Sequence, residues 1–565
     1  MLFVVFALAL ILTQAHAKDL PPNVIIMLAD NLGYADVSFL GAPAGRTPNI
    51  DRLAKEGMQF QHWNSAAHLC SASRATLLTG KYAARTGVYP SVFANDAVYG
   101  LMPFEVSIAN YLKEEGYATS LVGKWHLGHR PPYLPTKQGF DEWLGIPFHM
   151  SGGSLDNHVC SYDEDQSWWL PLYDGDSIVE QPVKLNELSK RYASRATGFI
   201  KEQVGKNTPF FLYLAFSHVH QLCAPKDGKE QETCQWTGSP TADDTVQGLN
   251  KTFGDAVAEM DWIVGEVTKM LDSLDVANKT FVLFTSDNGP WLAEQSCSGA
   301  KGPFHGRWLA DNVDQNCIAC PHDFEPCPTN DRPRRCRLRG VNPESEDAAF
   351  YLDGVHCGED VGLGSLWEAN LRMPAVARQP GKIRAGASSS AVVSTLDVFP
   401  TVLSFLNASL PPGLDGMDIS SVLFGREHEY DSANRTLFFW RDGFSEGSLP
   451  PPYGRLDVAA VKIGHMKAHL YTKSAHYNDD DAVHHVPPLL FDVHADPAEA
   501  FPLNPDDHKE LLARMEQLVK THKESIEWTT PLALAKDPKY RPCADPQNGC
   551  RTGAGLPERV VLNGD

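Results

Sequence analysis

Asn23-Val24-Ile25-Ile26-Met27-Leu28-Ala29-Asp30-Asn31 is an apolar run that ends in two short side chains carrying oxygen donors. A strand with one wet face alternates apolar and polar residues. An unbroken Val/Ile/Leu run instead marks a parallel strand covered on both faces. The pattern recurs at Pro209 and Phe281, and a more mixed strand at Ala118 also ends in polar residues. Ala118 to Val122 runs into Gly123-Lys124-Trp125-His126-Leu127-Gly128-His129. Pro209 to Phe216 runs into Ser217-His218-Val219-His220, and Phe281 to Thr285 into Ser286-Asp287-Asn288-Gly289-Pro290. Helical spacing separates these runs. One helix opens at Thr47-Pro48, with Thr47 as N-cap and Pro48 in the first position, and stops at Gly57. Others cover Ser107 to Glu115, residues 188–204 and Asp255 to Leu274. Helices alternating with buried strands predict an α/β fold with a large mixed, mostly parallel sheet flanked by helices. Ligands of such sheets sit beyond the carboxyl ends of the strands, where all four runs carry their polar chemistry.

The chain has 565 residues, enough for one large domain and a smaller one. Residues 1–17 read as a secretory signal peptide, with the apolar run Leu2 to Leu12 and the small-x-small site Ala15-His16-Ala17. Residues 18–430 are then expected to form the large N-terminal domain. From about 431 the pattern changes to alternating strands at Thr436 to Trp440, Val458 to Lys462, Met466 to Tyr471 and Leu489 to Val493, followed by helical spacing from Asp506 to Lys523. Residues 431–565 are therefore expected to be a C-terminal α+β domain with an antiparallel sheet. Residues 291–361 form a long insertion with little periodicity, of the kind that covers a site. No later segment reaches about 18 uninterrupted apolar residues, so no integral membrane segment is expected. The net charge of −21 argues against nucleic acid as a partner.

Twelve cysteines in a chain with a signal peptide imply the oxidising secretory pathway, lysosomal or extracellular. Cys543 and Cys550 are plausible partners across a short loop. Cys317, Cys320, Cys327 and Cys336 read as disulfide cysteines of the insertion in preference to a zinc site. Asn-x-Ser/Thr glycosylation sequons stand at Asn250, Asn278, Asn407 and Asn434.

Asp30, Asn31, Asp287 and Asn288 offer hard oxygen ligands, which suit Ca2+ or Mg2+ and not zinc. Arg74, Lys124 and the nearby histidines add positive charge and proton donors. A divalent cation with several fixed positive groups suits a sulfate or phosphate monoester. His218 reads as a satisfied core histidine and His129 as a loop residue.

The segment Cys70-Ser71-Ala72-Ser73-Arg74, followed by Thr79-Gly80-Lys81, resembles the C-x-P/A-x-R signature of the formylglycine-dependent sulfatases; its helix is expected from about Ser73. The Gly123–Gly128 element resembles that family too, as do Ala29–Asp36, Phe284–Pro290 and Asp496-Pro497-Ala498-Glu499. Leu170 to Tyr173 and Ile178 to Val183 are similar to arylsulfatases of the A and G type. The resemblance covers most of the chain. It implies the alkaline-phosphatase-like fold and sulfuric-ester hydrolase (arylsulfatase) activity on small-molecule or glycan sulfate esters.

It also implies site roles. Cys70 would be oxidised to formylglycine by the formylglycine-generating enzyme, and its hydrate would be the nucleophile. Ca2+ would be held by Asp30, Asn31, Cys70, Asp287 and Asn288. Arg74 and Lys124 would orient the formylglycine and the sulfate. His126 would take the proton that expels sulfate, and His220 would contact the ester and protonate the leaving oxygen. The chain departs from the family pattern at Ala72, at Asn31 for a metal-binding Asp, at His149 for a Ser, and at Leu363 for the sulfate-binding Lys, with Ala369 and Asn370 in place of two glycines. Lys301 is the candidate replacement cation for substrate binding. Two alternatives remain: a catalytically impaired sulfatase-fold protein that binds sulfated ligands, and a phosphoesterase of the same superfamily.

Overall fold

The computed structural model describes residues 21–42, 47–155, 158–160, 169–220, 222–226, 229–234, 251–292, 298–312, 318–319, 324–326, 335–338, 351–353, 355–442, 456–475 and 482–552. The expected signal peptide, the sequon at Asn250 and Cys317, Cys320 and Cys327 lie outside them.

A ten-stranded sheet forms the frame. Its strands are β1 (Asn23–Ala29), β2 (Met58–Asn64), β3 (Ala118–Gly123), β4 (Glu142–Gly145), β5 (Leu172–Asp174), β6 (Ser177–Glu180), β7 (Phe210–Ala215), β8 (Thr280–Ser286), β9 (Ala375–Arg378) and β10 (Ala387–Ser394). They lie in the order β10-β2-β9-β8-β1-β7-β3-β4-β5-β6. The centre, from β8 to β4, is parallel throughout. Antiparallel pairings join β9 to its neighbours and β5 to β4 and β6.

The central strand β1 shows why its sequence never alternates. Val24, Ile26 and Leu28 pack into a core with Leu77 and Leu78 of helix α2 (Cys70–Thr79) and Leu112 of α3 (Ile108–Glu114). Ile25, Met27 and Ala29 pack into a second core with Leu53 of α1 (Pro48–Glu56), Tyr192 of α4 (Leu185–Lys206) and Ile263 of α5 (Lys251–Ser273). Both faces are dry, so both parities of the strand are apolar.

Six strands of the sheet, β2, β4, β5, β6, β9 and β10, escaped the sequence reading. Met58–Asn64, Ala375–Arg378 and Ala387–Ser394 lie toward one edge and lack a long apolar run; the last reads ASSSAVVS. Two local expectations are corrected. Thr47 makes no side-chain cap; its hydroxyl donates to Asp51 Oδ1 at 3.0 Å instead. Helix α2 begins at Cys70 itself, with Leu69 in the cap position, three residues before the expected Ser73.

A separate antiparallel sheet of four strands, Thr436–Arg441, Asp457–Ile463, Met466–Thr472 and Val483–Asp492, carries a helix, Lys509–Glu524, preceded by a 3-10 turn at Pro505–His508. Cys543 and Cys550 form a disulfide. Asn278, Asn407 and Asn434 are exposed. No helix among the described residues is long and apolar enough to cross a membrane.

The loop that follows β1 is tied down by Asp36, whose carboxylate accepts the backbone N–H of Gly33 at 2.7 Å and of Ala300 at 2.8 Å. Burial raises this carboxyl from 3.8 to about 7, against the lowering by those two N–H groups. Between these values the folded protein holds a proton that the unfolded chain releases. The stability that this proton supports is therefore complete below 3.8 and is lost as pH rises through about 7. Urea unfolding is expected to show stability falling from pH 5 to pH 8, and Asp36→Asn to remove about 2–3 kcal/mol of that fall. An unchanged pH slope in the variant would refute this account.

Candidate active site

The parallel register aligns the strand ends. Ala29 pairs with Ser286, so Asp30 and Asn31 emerge beside Asp287 and Asn288. On the other side of β1, strand β7 delivers His218 and His220, and β3 delivers Lys124 and His126. Gly123 sits at φ +116°, and a Cβ there would stand 1.8 Å from the Ala215 carbonyl oxygen. Only glycine lets β3 lie so close to β7 before Lys124.

Four charged side chains interlock without solvent; Asp30, Arg74 and Lys124 are 0% exposed and Asp287 1%. Lys124 Nζ donates to both oxygens of Asp30, at 2.9 and 2.7 Å. Arg74 donates to Asp287 Oδ2 at 2.8 Å and to the Lys124 carbonyl at 3.1 Å, and lies 3.5 Å from Asp30. The formal charges cancel, which is what makes two buried carboxylates tolerable. Burial, reinforced by Asp30, lifts Asp287 to about 6 against the pull of Arg74 and Lys124.

Cys70 opens helix α2 and points its sulfur into this group, 3.7 Å from Asp30 Oδ1 and 3.6 Å from Asn31 Oδ1. Ligand atoms of Asp30, Cys70 and Asp287 lie within 4.8 Å of one another. Burial pushes the Cys70 thiol far above its ordinary range, and the two carboxylates add to this against Lys124 and Arg74. The thiol is thus protonated at any physiological pH and is a poor nucleophile.

The amides complete an oxygen cluster. Asn31, in the left-handed region at φ +61°, donates its N–H to Asp287 Oδ1 at 3.1 Å. Its Oδ1 accepts Asn288 Nδ2 at 2.8 Å. Asn288 Oδ1 is buried without a hydrogen-bond partner. An orphaned carbonyl oxygen beside two carboxylates fits a hard divalent cation, since such a group otherwise costs desolvation energy with no return.

His126 is 1% exposed, and its Nδ1 is likewise buried without a partner. Burial first, then Lys124, His149, Arg74 and His220, hold it well below the ordinary histidine value, so it is a neutral base. His220 stacks on His149 with ring centres 4.9 Å apart and meets the edge of Trp291 at 5.7 Å. His149 also faces His126 at 6.3 Å.

A sulfatase family profile matches residues 22–408, and a profile for the C-terminal region of aryl-sulfatase matches residues 432–552. The chain is 32% identical to arylsulfatase G of Rattus norvegicus, over 94% of this chain and 93% of that one. It is 31% identical to human arylsulfatase A, over 96% of both chains. The chain belongs to the sulfatase family. Among solved structures, the PsFucS1 sulfatase from Pseudoalteromonas sp. shares the fold with a TM-score of 0.66 at 21% identity, over 92% of this chain and 93% of that one.

In this sulfatase, Asp30, Asn31, Cys70, Arg74, Lys124, Asp287 and Asn288 form one contiguous cluster, with His126 within electrostatic reach of Lys124 and Arg74. His220 joins through its stack with His149. Lys301 lines a cleft with Leu292, His305, Arg307 and Glu359, and its charge is countered by Glu359 and Asp360. Among the described residues no hydrogen bond ties it to the Cys70 cluster. His218 is a core residue bonded to Ser189 at 3.0 Å, and His129 is buried against Phe148 with its Nε2 on the Tyr540 carbonyl at 2.7 Å.

The segment that departs from the family pattern is tightly bound all the same. Leu363 is buried and donates its N–H to the Pro290 carbonyl at 2.8 Å. Asn370, where the resemblance implies glycine, accepts the Gly289 N–H at 3.0 Å and donates to the carbonyls of His68 and Ser365. It thereby stitches the Asp287-Asn288-Gly289 turn to the residues before Cys70. Glu368 bonds Arg372 and Lys462, and Glu499 accepts the Glu368 N–H at 2.8 Å. The late Asp496–Glu499 motif thus seats the small sheet against this segment. His149 as a ring partner of His220, and Trp291 at the edge of that pair, were not found from the sequence. The only signal was a histidine at a family serine position.

Proposed function

We propose that this sulfatase hydrolyses sulfate monoesters of aryl or glycan alcohols through a formylglycine made from Cys70. The observation that carries this is the placement of Cys70. A protonated, solvent-free thiol at the start of a helix, 3.6–3.7 Å from the oxygens of Asp30 and Asn31, has no use as a thiolate. Its oxidation product does. The hydrated aldehyde would supply a nucleophilic hydroxyl, and Ca2+ held by Asp30, Asn31, Asp287, Asn288 and the modified side chain would draw charge from the sulfate oxygens.

The chain's own groups do the remaining work in this reading. Arg74 and Lys124 pair with the two carboxylates and place positive charge beside residue 70. Neutral His126, with its free Nδ1, accepts the proton whose loss expels sulfate. His220, aligned by its stack on His149, contacts the ester and delivers a proton to the departing alcohol oxygen. Residues 18–430 carry this chemistry and residues 431–565 form the smaller α+β domain. The cysteines and sequons support passage through the secretory pathway, to lysosome or exterior, where the formylglycine-generating enzyme would act during maturation.

Peptide mass spectrometry across Cys70, on protein secreted from eukaryotic cells, tests this when paired with an aryl sulfate assay. Formylglycine with turnover is the expected result, and an intact thiol without turnover would overturn it. Leu363 favours a second reading, a fold that binds sulfated ligands with little turnover. Loss of one charge-assisted contact to a buried anion costs about 1.5–3 kcal/mol, or roughly ten- to a hundredfold in rate. Formylglycine without turnover would establish that reading. Lys301 is our candidate for the missing cation. Lys301→Ala is then expected to lower kcat/KM by a similar ten- to hundredfold, and unchanged kinetics would remove it from the site.

A further inference from the structure

Three histidines from distant parts of the chain meet away from the Cys70 cluster. His62 lies on β2, His465 in the turn between the second and third strands of the small sheet, and His494 just after the fourth. One ring nitrogen from each lies within 4.8 Å of the other two. His62 is 3% exposed, whereas His494 opens to solvent. The ring centres stand 4.3 Å apart for His62 and His465, 4.9 Å for His465 and His494, and 5.5 Å for His62 and His494.

We propose that His62, His465 and His494 form a binding site for a borderline divalent transition cation of the Zn2+ kind, joining the large sheet to the small one. Three observations carry it. His62 Nε2 and His494 Nδ1 are 3.3 Å apart. Two nitrogens each about 2.05 Å from a tetrahedral zinc stand about 3.3 Å apart. His465 Nδ1 is buried with no hydrogen-bond partner among the described residues. Imidazole is also the ligand class that such cations prefer, and three imidazoles leave a fourth position open at the solvent side, where His494 lies.

The surrounding charges permit a cation. Arg372 and Lys462 face His62, but both are bonded to Glu368. Asp492 lies within electrostatic reach of His465 and accepts the backbone N–H of His494 at 3.0 Å. This donor set is unlike the oxygen cluster at Asp30, so the two sites would select different ions. A simple imidazole–imidazole hydrogen bond across the same 3.3 Å is the competing outcome.

The test uses the full-length secreted protein, stripped with a chelator and resupplied with Ca2+ to satisfy the oxygen cluster. Co2+ is added as the spectroscopic probe and Zn2+ as competitor. The expected result is one equivalent of Co2+ with the intense visible bands of tetrahedral coordination, displaced by Zn2+. His494→Gln and His465→Gln should each weaken it by more than about a hundredfold, beyond the ten- to hundredfold that loss of a merely orienting partner costs. Zn2+ should raise the melting midpoint of the wild type and not that of His494→Gln. Because His494 is exposed, its metal-free variant should melt like the metal-free wild type, which separates lost ligation from misfolding. Equal Co2+ stoichiometry and spectra in wild type and both variants would overturn the proposal, as would absence of any tetrahedral band.

Discussion

Cys70→Ser is expected to lower aryl sulfate turnover on the order of 10^5–10^6-fold, the scale of removing a nucleophile that acts in concert with its neighbours. The reason lies in the second half of the reaction. In the proposed cycle, one hydroxyl of the formylglycine hydrate takes the sulfuryl group and the alcohol leaves. The second hydroxyl then loses its proton to His126, its oxygen becomes a carbonyl, and the C–O bond to sulfate breaks. Serine has a single hydroxyl, so it can accept the sulfuryl group but cannot expel it by elimination. Mass spectrometry of the Ser variant after incubation with an aryl sulfate should therefore find one sulfuryl group on residue 70. Cys70→Ala should be equally inactive and carry none. A Ser variant that turned over at a tenth of the wild-type rate would refute the elimination step.

Arg74→Met should destabilise the protein by about 3–5 kcal/mol, the range for breaking a buried ion pair from one side. Arg74 is wholly buried, donates to Asp287 at 2.8 Å and stands 3.5 Å from Asp30. Without it Lys124 alone faces two carboxylates. The loss should be largest with chelator present and smaller in saturating Ca2+, because removing a positive charge beside Asp287 and Asp30 tightens cation binding, and a tighter ligand of the folded state adds more stability by mass action. Chemical denaturation with and without Ca2+ measures both. Equal losses in the two conditions would argue against a cation among Asp30, Asn31, Asp287 and Asn288. Arg74→Lys should not restore stability, since one ammonium cannot reach Asp287 and the Lys124 carbonyl from the same two directions.

Strands β1, β3, β7 and β8 were legible because they are buried on both faces. Burial of that kind leaves the centres of β1, β7 and β8 apolar on both parities; β3, which buries Thr119 and Ser120, was read from Leu121-Val122 and its polar ending. Strands β2, β9 and β10 were not, because toward the edge of the sheet short or Ser-rich segments suffice once neighbours supply the ladder. The start of α2 at Cys70 was misplaced because Leu69 makes no side-chain cap, leaving nothing local to read.

The sequence by itself determined the residues at the four strand ends, and with them Asp30, Asn31, Lys124, His126, Asp287 and Asn288. These follow from strand period and from the rule that parallel strands end on one side, both local properties. The family resemblance placed Leu363 where a sulfatase lysine is expected. Tertiary structure alone decided which of these groups touch. Asn31 and Asn288 are 257 positions apart, and only the β1–β8 register places their amides 2.8 Å from each other. It alone set the His149–His220 stack, the role of Asn370 in holding the Asp287-Asn288-Gly289 turn, and the meeting of His62 with His494 across 432 positions. Those contacts depend on how sheets and loops pack, and packing is a property of the whole chain that no local pattern encodes.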